Sequence, residues 1–225
     1  MPKLTWDNIG THKYETGVDQ GVLFPYANGA YGTGIPWNGL TGVTQSPSGA
    51  DETKLWADNI KYVSMRSVEE FGGTIEAYTY PDEFGDCDGS KQVVNGLRVG
   101  QQPRKPFGLV YRTLIGNDTN GDDFGYMYHI IYGATCSPSQ KQYSTKNDSP
   151  EAATFSWEFT TNPVAFPGFK PTSYLEIDST EFKTEAEKAK LTTLEGILFG
   201  GENTDSRLPL PEEVASTLGY VAPES

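Results

Sequence analysis

Residues 154–161, Thr-Phe-Ser-Trp-Glu-Phe-Thr-Thr, alternate apolar and polar side chains. A two-residue period places Phe155, Trp157 and Phe159 on one face of a strand and Thr154, Ser156, Glu158 and Thr160 on the other. A strand with one dry and one wet face belongs in an antiparallel sheet. Residues 68–80 repeat the pattern, with Phe71, Gly73, Ile75 and Ala77 opposed to Thr74, Glu76, Tyr78 and Tyr80. In residues 172–178, Leu175 and Ile177 point inward and Tyr174 and Glu176 outward. Residues 107–115 and 124–135 form the strongest strand pair, flanking an acidic stretch whose Asn120-Gly121 step favours a hairpin. Residues 40–44 and 55–63 are expected as two further strands.

One helix is expected, over about 185–198. Thr184 and Glu187 have the spacing of a capping box. Leu191, Leu194, Ile197 and Leu198 line one side, and Gly200-Gly201 supplies a stop. Residues 1–22 and 208–225 are expected as extended terminal arms of a single domain spanning 1–225, the second with room for one helical turn after residue 213. Residues 45–56 and 81–106 are expected as long loops. The second of these is split in charge: Asp82, Glu83, Asp86 and Asp88 precede Lys91, Arg98, Arg104 and Lys105. Such a segment could pair with a copy of itself in a neighbouring subunit, or be a solvated insertion.

Charge removes whole classes of function. Seventeen Lys and Arg stand against 30 Asp and Glu, a formal charge of −13. A surface of that sign repels nucleic acid and anionic membranes, although it does not exclude a protein past which DNA slides. No apolar run approaches the roughly 18–20 residues of a bilayer helix. The first six residues carry no secretory-type apolar stretch. Synthesis in a cytoplasm is therefore expected, with Cys87 and Cys136 as free thiols.

Catalytic chemistry has little to stand on. His12 and His129 are the two histidines, and His129 has only Cys136 near it in sequence, short of a zinc ligand set. The acidic turn around 116–123 fails the EF-hand spacing, because the first ligand position would fall on Gly116. Neither a nucleophile elbow nor a phosphate loop is present, and no cofactor is expected. Glu69 and Glu70 are adjacent on a strand and point to opposite faces, so they cannot flank one scissile bond.

The order of motifs along the chain resembles the siphophage major tail (tail tube) protein family. It is carried by residues 14–25 (Tyr-Glu-Thr-Gly-Val-Asp-Gln-Gly-Val-Leu-Phe-Pro) and 37–41 (Trp-Asn-Gly-Leu-Thr). Residues 71–84, from Phe-Gly-Gly-Thr-Ile-Glu-Ala-Tyr to Pro-Asp-Glu-Phe, continue it. Tyr111-Arg112-Thr113, Ile131-Tyr132-Gly133-Ala134, Ser156-Trp157-Glu158-Phe159 and Ile197-Leu198-Phe199-Gly200 complete it. The likeness runs from about residue 14 to 214.

The resemblance implies a mainly β fold: a tail-tube-type β-sandwich or β-barrel with one flanking helix, long loops and extended arms. It implies hexameric rings that stack into a hollow tube carrying phage DNA, with no catalysis, in a virion assembled in a bacterial cytoplasm. The partners it implies are further copies of the chain, tail terminator and tail tip or baseplate proteins, a tape measure protein in the lumen, and DNA in passage; membrane insertion is not expected. Within that frame Glu76 and Glu158, and with them Glu69, are candidates for an acidic channel wall. Asp82, Glu83, Asp86, Asp88, Lys91, Arg98, Arg104 and Lys105 are candidates for stacking contacts between subunits. A second reading is a carbohydrate-binding β-sandwich adhesin module using Trp37, Trp56 or Tyr80 as sugar platforms.

Overall fold

A computed structural model of the chain describes residues 3–143, 145 and 152–222. The chain opens with a long strand, β1 (Lys13–Ala27), followed by the short β2 (Ala30–Tyr31) and β3 (Ile35–Pro36) and by β4 (Leu40–Gln45). Four strands then form a projecting region: β5 (Ser48–Gly49), β6 (Glu52–Ala57), β7 (Ile60–Arg66) and β8 (Glu69–Glu70). After β9 (Gly72–Ala77) come a 3-10 turn (Asp82–Phe84), the single-turn α1 (Gly85–Asp88) and a small hairpin of β10 (Lys91–Val94) and β11 (Leu97–Val99). The longest strands are β12 (Phe107–Asn117) and β13 (Gly121–Cys136). They are followed by β14 (Phe155–Thr161), β15 (Tyr174–Asp178), α2 (Glu185–Phe199) and α3 (Pro211–Leu218).

The main sheet is antiparallel, in the order β2-β1-β12-β13-β14-β9-β4, with β15 also on β13 and β3 also on β1. The expected hairpin closes with Asn117 opposite Gly121. The long β13 serves two neighbours in turn: Met127–Ile131 pair with β15, and Ala134–Cys136 pair with β14. That change of partner lets β14, β9 and β4 fold back over one face of the β1-β12-β13 layer, so the core there is a sandwich.

Two apolar clusters lie on opposite faces of the central strands. One joins Leu23, Leu109, Tyr111 and Ile131 to Ile75, Trp157 and Phe159 of the folded-back strands, and to Trp37 and Phe84. The other joins Val22, Phe24, Val110, Ile130 and Tyr132 to Leu191, Leu194 and Leu198 of α2 and to Val214 of α3. Alternate residues of β1, β12 and β13 therefore feed different cores, which is why these strands read as nearly continuous apolar runs.

The mainly β fold agrees with the sequence, as do the inward faces of β9 and β14. Gly73 lies opposite Phe159, Ile75 opposite Trp157 and Ala77 opposite Phe155. The α2 cap forms as expected: Thr184 Oγ1 accepts from the Glu187 amide, and Glu187 accepts from the Thr184 amide at 2.9 Å.

Four expectations need correction. From Lys13 onward the N-terminal arm is a sheet strand, and even residues before it are tied down, since Asp118 accepts from the Gly10 amide at 2.9 Å. The C-terminal arm contains α3, with Leu208 and Val214 buried against the second core. Residues 45–63, expected as a long loop to 56 and one strand over 55–63, hold β5, β6 and the start of β7. Residues 81–106 are structured, not an open loop.

Candidate functional site: surfaces for assembly

The β6–β7 hairpin is the most unusual surface of the molecule. Asp58 and Asn59 both adopt positive φ (51° and 61°), the conformation of a tight two-residue hairpin turn whose twist suits the flanking strands. The register sets Leu55 against Val63 and Thr53 against Met65 on one face. The two strands form a sheet of their own, not hydrogen-bonded to the main one. Trp56 is 67% exposed, Ile60 63% and Tyr62 73%, with Leu55, Val63 and Met65 exposed beside them. A free two-stranded ribbon is at best marginally stable in water, and this one exposes apolar side chains on both faces, Leu55, Val63 and Met65 on one and Trp56 and Tyr62 on the other, the mark of an interaction surface.

A second surface is the sheet edge. Strand β4 ends the strand order and is hydrogen-bonded only to β9 among the described strands, so its outer edge is open. An unpaired edge can template pairing with another chain.

Glu76 and Glu158 lie on the exposed side of the β4-β9-β14 layer. Glu76 is opposite Ser156 and Glu158 opposite Thr74, so the two carboxylates are diagonal neighbours on one face, both exposed. Glu69 is elsewhere. It sits in β8 opposite Gly49, at the base of the projecting hairpin, although a regular strand would have put it on the face of Phe71. The strand breaks between Glu70 and Gly72, so parity does not carry across.

The split-charge segment closes on itself. Arg98 bonds Asp82, Lys105 Nζ lies 2.5 Å from Asp86, and Asp88 is held at 2.8 Å by Lys141, a residue outside the segment. The hairpin β10–β11 folds the basic half back onto the acidic half. Glu83 and Lys91 are exposed and form no ion pair among the described residues. Arg104 is half-buried, and its Nε has no hydrogen-bond partner among the described residues.

Of the three aromatics considered as sugar platforms, only Trp56 is exposed. Trp37 is buried, its indole donating to the Thr79 carbonyl at 2.9 Å, and Tyr80 packs edge-on against Trp157.

His129 lies at the centre of a buried polar cluster. Its Nε2 is 2.8 Å from Thr113 Oγ1 and 3.2 Å from Glu15, and its Nδ1 is 2.5 Å from the Tyr174 hydroxyl. The ring stacks on Tyr111 at 4.5 Å between centroids. Tyr174 donates to Glu176 at 2.6 Å and accepts from Gln45. Five separate stretches of chain meet here, and no local motif signals it.

Burial pulls the His129 pKa below its ordinary 6.5, while Glu15 and Glu176 pull it up. The neutral ring is therefore favoured in the fold. A base depressed in this way gives its full stabilisation above the unfolded value of 6.5. It loses that stabilisation as pH falls toward the folded value, because the unfolded chain takes up the proton first. Urea midpoints should fall between pH about 7.5 and about 5.5. His12 works in the opposite sense, because its exposed ring is raised by hydrogen bonds to Asp118 and Asp7. Comparison with His129→Gln isolates the buried ring: the variant should lose part of the acid-side slope, and an unchanged slope would refute the assignment.

Among the described residues no helix is long and apolar enough to cross a membrane, and no group of three or more His, Cys, Asp or Glu could hold a metal ion.

No protein-family model matches the chain, and no curated protein matches it. Among solved structures it is similar to the tube-terminating cap of the anti-feeding prophage, at 10% identity over 80% of this chain and 97% of that one, with a TM-score of 0.33. It is also similar to a chain of the sheath–tube complex of the extracellular contractile injection system PVC in its extended state, at 14% identity over 76% and 92%, TM-score 0.31. A chain of the PVC sheath/tube terminator gives 12% identity over 73% and 97%, TM-score 0.30. At these scores the likeness assigns the chain neither a family nor a function.

Proposed function

We propose that the chain is a non-enzymatic structural subunit of a siphophage-type tail tube, assembling into hexameric rings that stack into a DNA conduit. The observation that carries this reading is the exposed apolar ribbon of β6 and β7, which only a partner can cover. The open edge of β4 adds to it: a ring of subunits that continue one another's sheets leaves no edge unpaired. A ring whose upper surface fits its lower surface makes a heterologous contact, which propagates as a filament. The motif order from about residue 14 to 214 supplies the family.

In such a tube the exposed face of β9 and β14, with Glu76 and Glu158 side by side, is suited to the channel. Carboxylates there would keep phosphates from condensing on the wall, so DNA passes without being held. The partners of this reading are further copies of the chain, terminator and tip proteins at the tube ends, and a tape measure protein in the lumen, all within the tail of a virion. The adhesin reading is weaker, because of its sugar platforms Trp37 is buried and Tyr80 packs into the core, which leaves only Trp56 of the three.

Negative-stain microscopy and sedimentation of the concentrated protein test the reading. Rings or tubes of uniform diameter are expected, alone or seeded by an assembled tail tip. A chain that stays monomeric under both conditions would contradict it.

A further inference from the structure

A cleft of about 470 Å³ opens between α2 and the central sheet, beside β3. It lies where β1 bulges: the register shifts between Asp19 and Val22, and Gln20 is held at φ 49°. Bulges and positive φ at a residue other than glycine are both frequent beside binding sites. The volume is that of a small-molecule pocket.

Three rings form a continuous wall. Tyr126 lies 5.1 Å from Tyr128 between centroids, and Tyr128 lies 5.4 Å from Phe199. One carboxylate meets them. Glu195 Oε1 accepts from the Tyr126 hydroxyl at 2.6 Å and from the Tyr128 hydroxyl at 3.2 Å, and all four residues line the cleft. Burial, and then Glu195 itself, push both phenols above their ordinary 10.0, so each stays a donor and holds the carboxylate in place. The second oxygen, Oε2, has no partner among the described residues and is not sealed from solvent.

Glu195 also lacks a counter-ion. Elsewhere on α2, Glu185 pairs with Lys188 and Glu187 closes the cap, whereas Glu195 forms no ion pair among the described residues. The cation of the lining is Arg112, and it is already committed: its Nε and an Nη donate to Asp19 at 2.8 and 2.7 Å. Arg112, Asp19 and Glu195 together leave one uncompensated negative charge beside three aromatic rings. A carboxylate flanked by ring faces is an environment that attracts a cation. We propose that this cleft binds an organic cation bearing N–H groups, an alkylammonium or a guanidinium, with Glu195 Oε2 as the acceptor and Tyr128 and Phe199 as the ring walls. An anion is disfavoured, because it would face Glu195 and find Arg112 neutralised by Asp19. The cation is either a free amine or a Lys or Arg side chain of another copy. The site is complete within one subunit, so its test does not depend on tube formation.

That test uses NMR of the intact chain. The backbone amides of Gly21 and Tyr128 and the methyl groups of Val22 report on the cleft, since all three residues line it. n-Butylammonium chloride, added at constant ionic strength, should shift these signals saturably. It should bind about tenfold or more tightly than n-butanol, which has the same chain and no charge, the difference made by one charge-assisted hydrogen bond. Glu195→Gln keeps an acceptor for both tyrosine hydroxyls and removes the charge, and it should erase that preference. A dilution series without added amine separates the two sources. Signals that move on dilution, and cease to do so in saturating butylammonium, identify a side chain of another copy; signals indifferent to dilution identify a free amine. Equal affinity for n-butanol, tighter binding of butyrate, a shift that does not saturate, or an unchanged preference in Glu195→Gln would overturn the proposal. The wild-type comparison of butylammonium with butanol decides even if Glu195→Gln fails to fold.

Discussion

Trp157→Ala is expected to cost about 3–5 kcal/mol of stability, the range for deleting a large buried aromatic. Trp157 is the largest fully buried side chain among the described residues. Its ring lies 5.1 Å from Phe84, 5.2 Å from Tyr80 and 5.9 Å from Trp37 between centroids, with steep interplanar angles of 80°, 82° and 67°. Edge-to-face pairs of this kind add about 0.5–1.5 kcal/mol each beyond burial. Alanine would leave a cavity bordered by rings from two separate stretches of chain, at 37 and at 80–84, and rigid strands on either side cannot collapse into it. A small domain is stable by only about 5–15 kcal/mol, so the variant should sit near the folding threshold. Urea denaturation of wild type, Trp157→Phe and Trp157→Ala would measure it, with phenylalanine intermediate. A loss below about 1 kcal/mol, the size of an ordinary point mutation, would mean the core does not depend on this ring.

Trp157 was legible because its strand obeys a single rule. Phe155, Trp157 and Phe159 alternate over regular backbone, and the partner strand β9 alternates in step. The capping box at Thr184 was legible for a similar reason, since both partners lie within one turn. Strand β1 is different. Its register shifts between Thr16 and Asp19 and again between Asp19 and Val22, with Gly17 at φ 69° and Gln20 at φ 49°. Each bulge resets the parity, so a continuous strand reads as a polar arm ending in a short apolar stretch. Its polar side chains find partners far along the chain: Asp19 takes both Nε and an Nη of Arg112 at 2.8 and 2.7 Å.

The turn of the projecting hairpin was hidden in another way. Asp58-Asn59 lacks the glycine that usually announces two positive φ angles, though Asn and Asp are the other residues that tolerate them. The split charges at 82–105 left pairing with a neighbouring copy and a solvated insertion both open; the ion pairs within the chain depend on a reversal at Asn95-Gly96 that charge alone does not encode.

Replacing Trp56, Ile60 and Tyr62 together with threonine should abolish self-association while leaving the subunit folded. The three side chains are 67%, 63% and 73% exposed, so their removal takes little from the core. Threonine suits a strand at least as well as the residues it replaces. The hairpin's own hydrogen bonds and the Lys61–Glu52 pair at 2.8 Å remain. In an assembled tube the same side chains would be interface anchors, and exposed Trp and Tyr in that position commonly cost about 2 kcal/mol or more each when truncated. At 1.4 kcal/mol per factor of ten, three such losses weaken each contact by about four orders of magnitude if they add. Coupling between neighbours would lower that figure without reversing it. Sedimentation at a concentration where the wild type forms rings or tubes should show only monomer, and the urea midpoint should move by less than the pH effect assigned to His129. Assembly of the triple variant at the wild-type concentration would remove the hairpin from the interface and leave the open edge of β4 to account for assembly. A collapsed urea midpoint would instead show that the ribbon supports the subunit itself.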